Sequence, residues 1–337
     1  LDPVEISQSG PEVIYQRKDL HVGAYHINSD GIWVLVYEKP QLFHRQERAG
    51  QQVLKGARLH LLDTLFHERS MHSFPSPVKG LQKDHLQRVI VEGEHEAWIA
   101  ESTEGGIAVA RIELQLLHRS ILPWKETING NLIGSDQEET YPAFSYVAFD
   151  PITKETRAIC TVQDDHLMEL FRSQYKYMSG RDKVIAMDLS AETGVESVII
   201  AGYMTDFHHN IYYRVPYAPV FVVNDTICVF DHYREQIRKF DRDLAGAGEI
   251  PITHHHDRSW TNELIQDPTD QHIYSVHKKS SRTSLRWIDP ATGIPGPSFT
   301  LTHPFPEEVK MYDGYVYYVY RPYGSLQHRT LYREQME

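Results

Sequence analysis

The stretch Ser29-Asp30-Gly31-Ile32-Trp33-Val34-Leu35-Val36-Tyr37 is a polar turn running directly into an unbroken β-prone run. Asp and Gly tolerate the tight backbone angles of a hairpin turn, so 31–37 reads as the second strand of a hairpin. Side chains alternate between the two faces of a strand, and a unit this apolar cannot bury both faces alone. It needs neighbours of its own kind.

The same signal recurs at 96–101, 157–162, 226–231, 272–277 and 315–320. Each run follows a turn: Glu92-Gly93-Glu94, Asp150-Pro151, Asn224-Asp225, Asp267-Pro268 and Asp313-Gly314. A third run lies downstream of each pair, at 57–63, 107–113, 183–188, 236–241, 284–289 and 328–332. In the fifth unit the turn Asp289-Pro290-Ala291-Thr292-Gly293 leads to a fourth run at 298–302. The second strands start at 31, 96, 157, 226, 272 and 315, with gaps of 65, 61, 69, 46 and 43. Four-stranded units at about 40–50 residues are the sequence mark of propeller blades, with longer gaps holding insertions.

The sixth unit runs out after three strands, and the segment 12–17 can supply the fourth, leaving no open sheet edge. The chain therefore reads as one all-β domain, 1–337, a six-bladed β-propeller whose N-terminal strand completes the last blade. The expected blades are 19–80, 81–135, 136–205, 206–255, 256–303, and 304–337 with 4–18. The alternative is a pair of β-sandwiches. Helix is scarce in this reading. Its clearest instance is 165–174, apolar at Leu167, Leu170 and Phe171, placed between the second and third strands of the third unit.

By period and strand count the chain resembles the broad six-bladed propeller group that includes the TolB-like, NHL and lactonase families. It carries no repeated Trp-Asp closing dipeptide, Tyr-Trp-Thr-Asp repeat or Ser-x-Asp-x-Gly-x-Thr-Trp box. The resemblance implies a ligand mouth at one end of the central channel. It also implies a periplasmic or extracellular location, which the missing initial Met favours, with the cytoplasm as the alternative.

Composition excludes several classes. At 41% hydrophobic and 24% charged residues the chain is too apolar to be disordered. A net charge of −12 does not suit a general nucleic-acid binder. No apolar run approaches the roughly 20 residues of a membrane span. Cys160 and Cys228 lie in apolar strands and read as small buried hydrophobes, compatible with either redox compartment.

Long insertions at 38–56, 117–141 and 164–181 fall in the loops that would wall one mouth, or would form a dimer contact. The ends of second strands carry charge in every unit. The expected ligand contacts there are Arg234, Arg321, Asp231, His277, Lys278, Glu101, Asp165 and Tyr323, with the two arginines as forked anchors for a carboxylate or phosphate. The competing reading is a ring of solvated loop charges. Histidine is abundant, at 20 residues, and neutral imidazole is a common metal ligand. His232, His208, His209 and His166 are the expected ligands of a divalent metal ion.

No Gly-x-Ser-x-Gly elbow is present, and adjacent acids such as Glu138-Glu139 lack glycosidase spacing. The leading expectation is a binding propeller for a polar or anionic small molecule, a glycan, a peptide or a protein. The alternative is a metal-dependent hydrolase, lactonase or polysaccharide-active enzyme using the same ring.

Overall fold

The computed structural model describes residues 10–38, 53–321 and 329–336. β1 (Glu12–Tyr15) opens the chain, and β2 (His21–Asn28), β3 (Gly31–Tyr37), β4 (Arg58–Leu62) and β5 (Glu68–Ser73) make the first sheet. β6 (Val78–Lys83), β7 (Val89–Gly93), β8 (Glu96–Thr103) and β9 (Gly106–Glu113) make the second. A single turn, α1 (Leu114–Leu116), then leads to the third sheet. That sheet is β10 (Trp124–Ile128), β11 (Asn131–Ser135), β12 (Ala143–Phe149) and β13 (Thr156–Gln163).

Three helices follow: α2 (Asp165–Tyr177), α3 (Gly180–Thr193) and α4 (Ser197–Met204). The fourth sheet is β14 (Val220–Val223), β15 (Thr226–Asp231), β16 (Gln236–Phe240) and β17 (Gly246–Pro251). The fifth is β18 (Trp260–Gln266), β19 (Ile273–Lys279), β20 (Arg282–Ile288) and β21 (Pro295–Thr300). β22 (Glu307–Tyr312), β23 (Tyr315–Tyr320) and β24 (Thr330–Gln335) complete the set, with β1 paired antiparallel to β24 as the fourth strand.

Six four-stranded antiparallel sheets, the last closed by the N-terminal strand, are the blades of a six-bladed β-propeller. Two compact units divide the chain, 1–125 with 253–337, and 126–252. The first holds sheets one, two, five and six. The second holds sheets three and four, from Glu126 of β10 onward, together with the helices.

β3 shows why such sheets must stack. Ile32, Val34 and Val36 pack with Val319 and Leu331 of the last sheet, while Trp33, Leu35 and Tyr37 pack with Val89, Val91 and Trp98 of the second. Each face of the strand belongs to a different inter-sheet core, and Trp33 is fully buried.

One end of each sheet carries the first-to-second and third-to-fourth turns, and at this end a recurring device closes six of them. Asp63, Asp84 and Asp241 each accept the N–H groups of residues two and four further on through Oδ1. The residue three further on (Phe66, Gln87, Leu244) takes a positive φ. Asp150, Asp267 and Asp289, each followed by proline, make a turn one residue longer, with positive φ at Lys154, Gln271 and Gly293. Asp267 reaches further. Its two carboxylate oxygens also accept the Asp313 and Gly314 N–H groups of the β22–β23 turn.

The second strands of sheets one, four, five and six stand where the repeat places them, as β3, β15, β19 and β23. Sheets two and three differ. Residues 96–101 lie in β8, a third strand, and 107–113 in β9, a fourth, because the short run of β7 already supplies the second. Residues 157–162 lie in β13, the fourth strand of a sheet beginning at Trp124, so much of the expected insertion 117–141 is strand. The second and third sheets thus span 78–113 and 124–163 rather than filling blades 81–135 and 136–205.

The run 183–188 is helical. Its apolar Val184-Ile185-Ala186-Met187 fits either period, and the deciding signals are the Ser179 N-cap and Gly194, left-handed at φ 74°. The helix foreseen at 165–174 is present as α2, with Asp164 capping it. It belongs to the connection between sheets three and four, not to a second-to-third loop. Among the described residues no helix is long and apolar enough to cross a membrane. The insertion 38–56 lies largely outside the described residues, as does residue 328 of the last third strand.

Candidate ligand site on the first strands

In the first unit the first strands lie side by side, β18 against β22, β22 against β2, and β2 against β6. Each carries an irregularity near its start, between Trp260 and Leu264, Glu307 and Lys310, Val22 and Ala24, and Val78 and Gly80. Bulges re-aim side chains. Here they coincide with a set of charged groups inside the strands.

Lys310 of β22 sits over the Tyr25 ring of β2, its Nζ 4.6 Å from the ring centre, and donates to the Tyr25 carbonyl oxygen. Glu308 approaches the same ammonium at 3.8 Å. The buried Tyr25 hydroxyl donates to the Glu308 carbonyl oxygen. Burial pushes the Lys310 amine below the ordinary lysine range, an effect that Glu308 opposes and Lys83 reinforces. Glu263 of β18 is displaced in the opposite direction. Burial raises its carboxyl, Lys278 lowers it and Glu308 raises it again. Titratable groups displaced by burial in this way cluster at functional sites.

His26, also on β2, extends the set. Its Nε2 lies 3.2 Å from the Gln87 carbonyl oxygen, which Asn28 also reaches. Burial and the Lys310 and Lys83 charges lower its pKa from 6.5 to about 4. Between those values the unfolded chain binds a proton that the native chain refuses. Stability therefore falls as pH drops from 6.5 towards 4, by up to about 3 kcal/mol from this residue. His26→Gln is expected to flatten that part of the stability–pH curve, measured by urea unfolding at a series of pH values. An unchanged slope would contradict the assignment.

Residues two apart on a strand share a face, about 6–7 Å apart. One step along from Tyr25 and Lys310 come Ile27 and Tyr312, which line a cleft of about 310 Å³ with Asn28, Asp30, Leu86, Gln87, Arg88, Glu101 and Thr269. Arg88 is held by the buried Asp84 through Nε at 2.7 Å, leaving Glu101 4.0 Å from Nη1. Lys83 donates to the Gln87 side chain at 2.9 Å, joining the charged row to the cleft. The combined surface offers ammonium and guanidinium groups for an anion, carboxylates for hydroxyls and a tyrosine face for an apolar edge.

The residues expected from sequence divide accordingly. Glu101 lines this cleft, although it reaches it from the third strand of its sheet and at the end that carries the first-to-second turn. Lys278 is exposed at the end of β19 and acts on Glu263. His277 is 1% exposed, with Ser259 Oγ 3.1 Å from Nδ1 and Ser275 Oγ 3.0 Å from Nε2. Both ring nitrogens are engaged and burial lowers its pKa, so it is an interior strut rather than a ligand contact. Arg321 is exposed just beyond β23, and Tyr323 lies outside the described residues.

In the second unit, Asp231 ends β15 fully buried. Arg238 Nη1 stands 3.8 Å and Arg234 Nε 3.9 Å from its Oδ2, and burial raises its pKa against those two cations. Arg234 thus shares its charge with Asp231. Asp165 opens α2 and accepts from Gln163 at 2.6 Å. His232 stacks on Tyr217, with Nδ1 3.1 Å from the Tyr217 carbonyl oxygen.

His208 and His209 do come together, but their third donor is Asp206. His166 and His232 belong to no such group among the described residues, because His166 projects from α2 and His232 is held against Tyr217.

Lys310, Glu263, Tyr25 and His26 escaped the sequence reading, and Glu308 stood out there only in the adjacent pair Glu307-Glu308, which lacks glycosidase spacing. The signal was present as charged residues inside strands that begin a unit, Glu307-Glu308-Val309-Lys310-Met311-Tyr312 and Trp260-Thr261-Asn262-Glu263-Leu264.

No family model matches the chain, and no curated protein matches it. Among solved structures it is similar to a luciferin-regenerating enzyme, at TM-score 0.41 and 9% identity, over 97% of this chain and 96% of that one. It is also similar to a virginiamycin B lyase from Staphylococcus aureus solved with quinupristin, at TM-score 0.40 and 7% identity over 97% and 98%. A calcium-binding regucalcin from Agrobacterium tumefaciens gives TM-score 0.38 and 10% identity over 97% and 93%. Likeness at this level says nothing of activity. The sheet topology by itself defines the class, a six-bladed β-propeller.

Proposed function

We propose that the protein is a binding propeller for a small polyhydroxylated carboxylate of the sugar-acid type, held where the first strands of the first unit meet the adjoining cleft. The observation that carries this reading is the half-buried Lys310 ammonium, 3.8 Å from the exposed Glu308 and on the strand beside β18, which carries Glu263, one strand step from a cleft lined by Asp30, Arg88, Glu101 and Tyr312. Partly desolvating an ammonium costs stability, so a fold that keeps one half-buried there suits an anionic partner. The acids on either side suit donating hydroxyls, each able to accept two bonds.

Calorimetric titration of the full chain at pH 7.5 tests the reading with D-glucuronate against the neutral D-glucose. One saturable equivalent of D-glucuronate, bound at least about tenfold more tightly than D-glucose, supports it. No saturable binding, or equal binding of both, contradicts it.

A further inference from the structure

The segment following α4 turns sharply. Asp206 adopts the left-handed region at φ 50°, and 207–209 form one turn of 3₁₀ helix closed by His209 N–H donating to the Asp206 carbonyl oxygen. Phe207 pins this turn. It is buried in the helical cluster, edge-on to Phe171 at 6.0 Å and to Tyr213 at 5.9 Å between ring centres. With Phe207 pointing inward, its neighbours face out. Asp206, the residue capping this turn, and His209, its last residue, are both exposed. His208 completes the group, its ring centre 3.9 Å from that of His209. One ligand atom from each of the three residues lies within 4.8 Å of the others.

We propose that Asp206, His208 and His209 bind one divalent transition-metal ion. Two imidazoles and one carboxylate form an N₂O donor set, which selects zinc, cobalt, nickel or copper over magnesium and calcium, whose shells are built of oxygen. Asp206 and His209 are exposed, so water completes the coordination and the ion keeps an open position. Binding needs only small side-chain movements, because Phe207 already fixes the backbone. This site is independent of the ligand reading above, and either can fail alone.

The test uses the full chain, purified without a histidine tag, at pH 7.5. Equilibrium dialysis counts bound Zn²⁺, and the visible absorption of bound Co²⁺ reports its coordination. The double variant His208→Ala/His209→Ala is expected to lose one equivalent of Zn²⁺ and the matching Co²⁺ absorption. Asp206→Asn should weaken that equivalent at least about tenfold, while His166→Ala should keep it. Circular dichroism of each variant checks the fold, and Asp206→Asn keeps the side-chain volume. Unchanged stoichiometry in the double variant would overturn the proposal, as would equal occupancy of the site by Mg²⁺ or Ca²⁺.

Discussion

Replacing Asp267 by alanine is expected to lower the unfolding free energy by about 4 kcal/mol, the largest loss anticipated from removing one carboxylate in this chain. The side chain is fully buried and ties two hairpin turns together. It accepts the N–H of Thr269 at 2.9 Å within its own turn, and those of Asp313 at 3.0 Å and Gly314 at 2.8 Å in the turn of the next sheet. Alanine takes the acceptor from three part-buried donors at once, and leaving a buried donor unsatisfied costs about 1–3 kcal/mol. Asn keeps one acceptor oxygen but turns an amide towards donors, so Asp267→Asn should lose about half as much. Asp63 closes a similar turn at the surface and accepts only from Leu65 and His67 in its own turn. Water can replace it, and Asp63→Ala should cost about 1 kcal/mol. Urea unfolding of the variants decides the matter. Equal losses at Asp63 and Asp267 would show that the inter-sheet tie contributes nothing.

The contrast between these two aspartates also shows what a sequence can convey. Asp267-Pro268 is visible as a turn signal, and the hairpin it begins was legible from Ile273 to His277. So was closure by β1, because the last unit lacks a strand and an orphan β-prone segment precedes the first. What no local pattern reveals is that the Asp267 carboxylate reaches into another sheet.

The third sheet failed for a related reason. Its first two strands, β10 and β11, are short and lack strand alternation, with Lys125, Glu126 and Thr127 polar in a row and Leu132 and Ile133 apolar together, and they resemble an insertion until paired. In α3, an apolar run of four satisfied both helical and strand periods, and the caps carried the decision. The site was the least legible part. Charged residues inside a strand usually mark its solvent face, and only the adjacency of β18, β22 and β2 leaves Glu263 and Lys310 short of water. His277 erred the other way. Its place at a strand end suggested exposure, yet two serine hydroxyls enclose it.

Lys310→Met carries the second large expectation, and it opposes stability to binding. Methionine matches the length of the lysine stem without its charge, so the contact with the Tyr25 ring is largely kept. Removing an ammonium whose pKa is depressed relieves a desolvation penalty, and the variant should be as stable as the parent or more so. Affinity for D-glucuronate should nevertheless fall by about 30-fold or more, the scale of one charge-assisted hydrogen bond in a partly dry site. Lys278→Met removes an exposed cation at the edge of the row and should cost less than about threefold. A purely structural Lys310 would behave in reverse, with stability lost and affinity unchanged.

The most direct measurement is the titration of Lys310 itself, followed by NMR of lysine carrying ¹³C at Cε, with Lys310→Met assigning the resonance. A bound carboxylate favours the charged amine. Lys310 should therefore titrate below the roughly 10.4 of an ordinary lysine in the free protein and move upward when D-glucuronate saturates it. A Lys310 signal that titrates with the exposed lysines and ignores D-glucuronate would contradict the account.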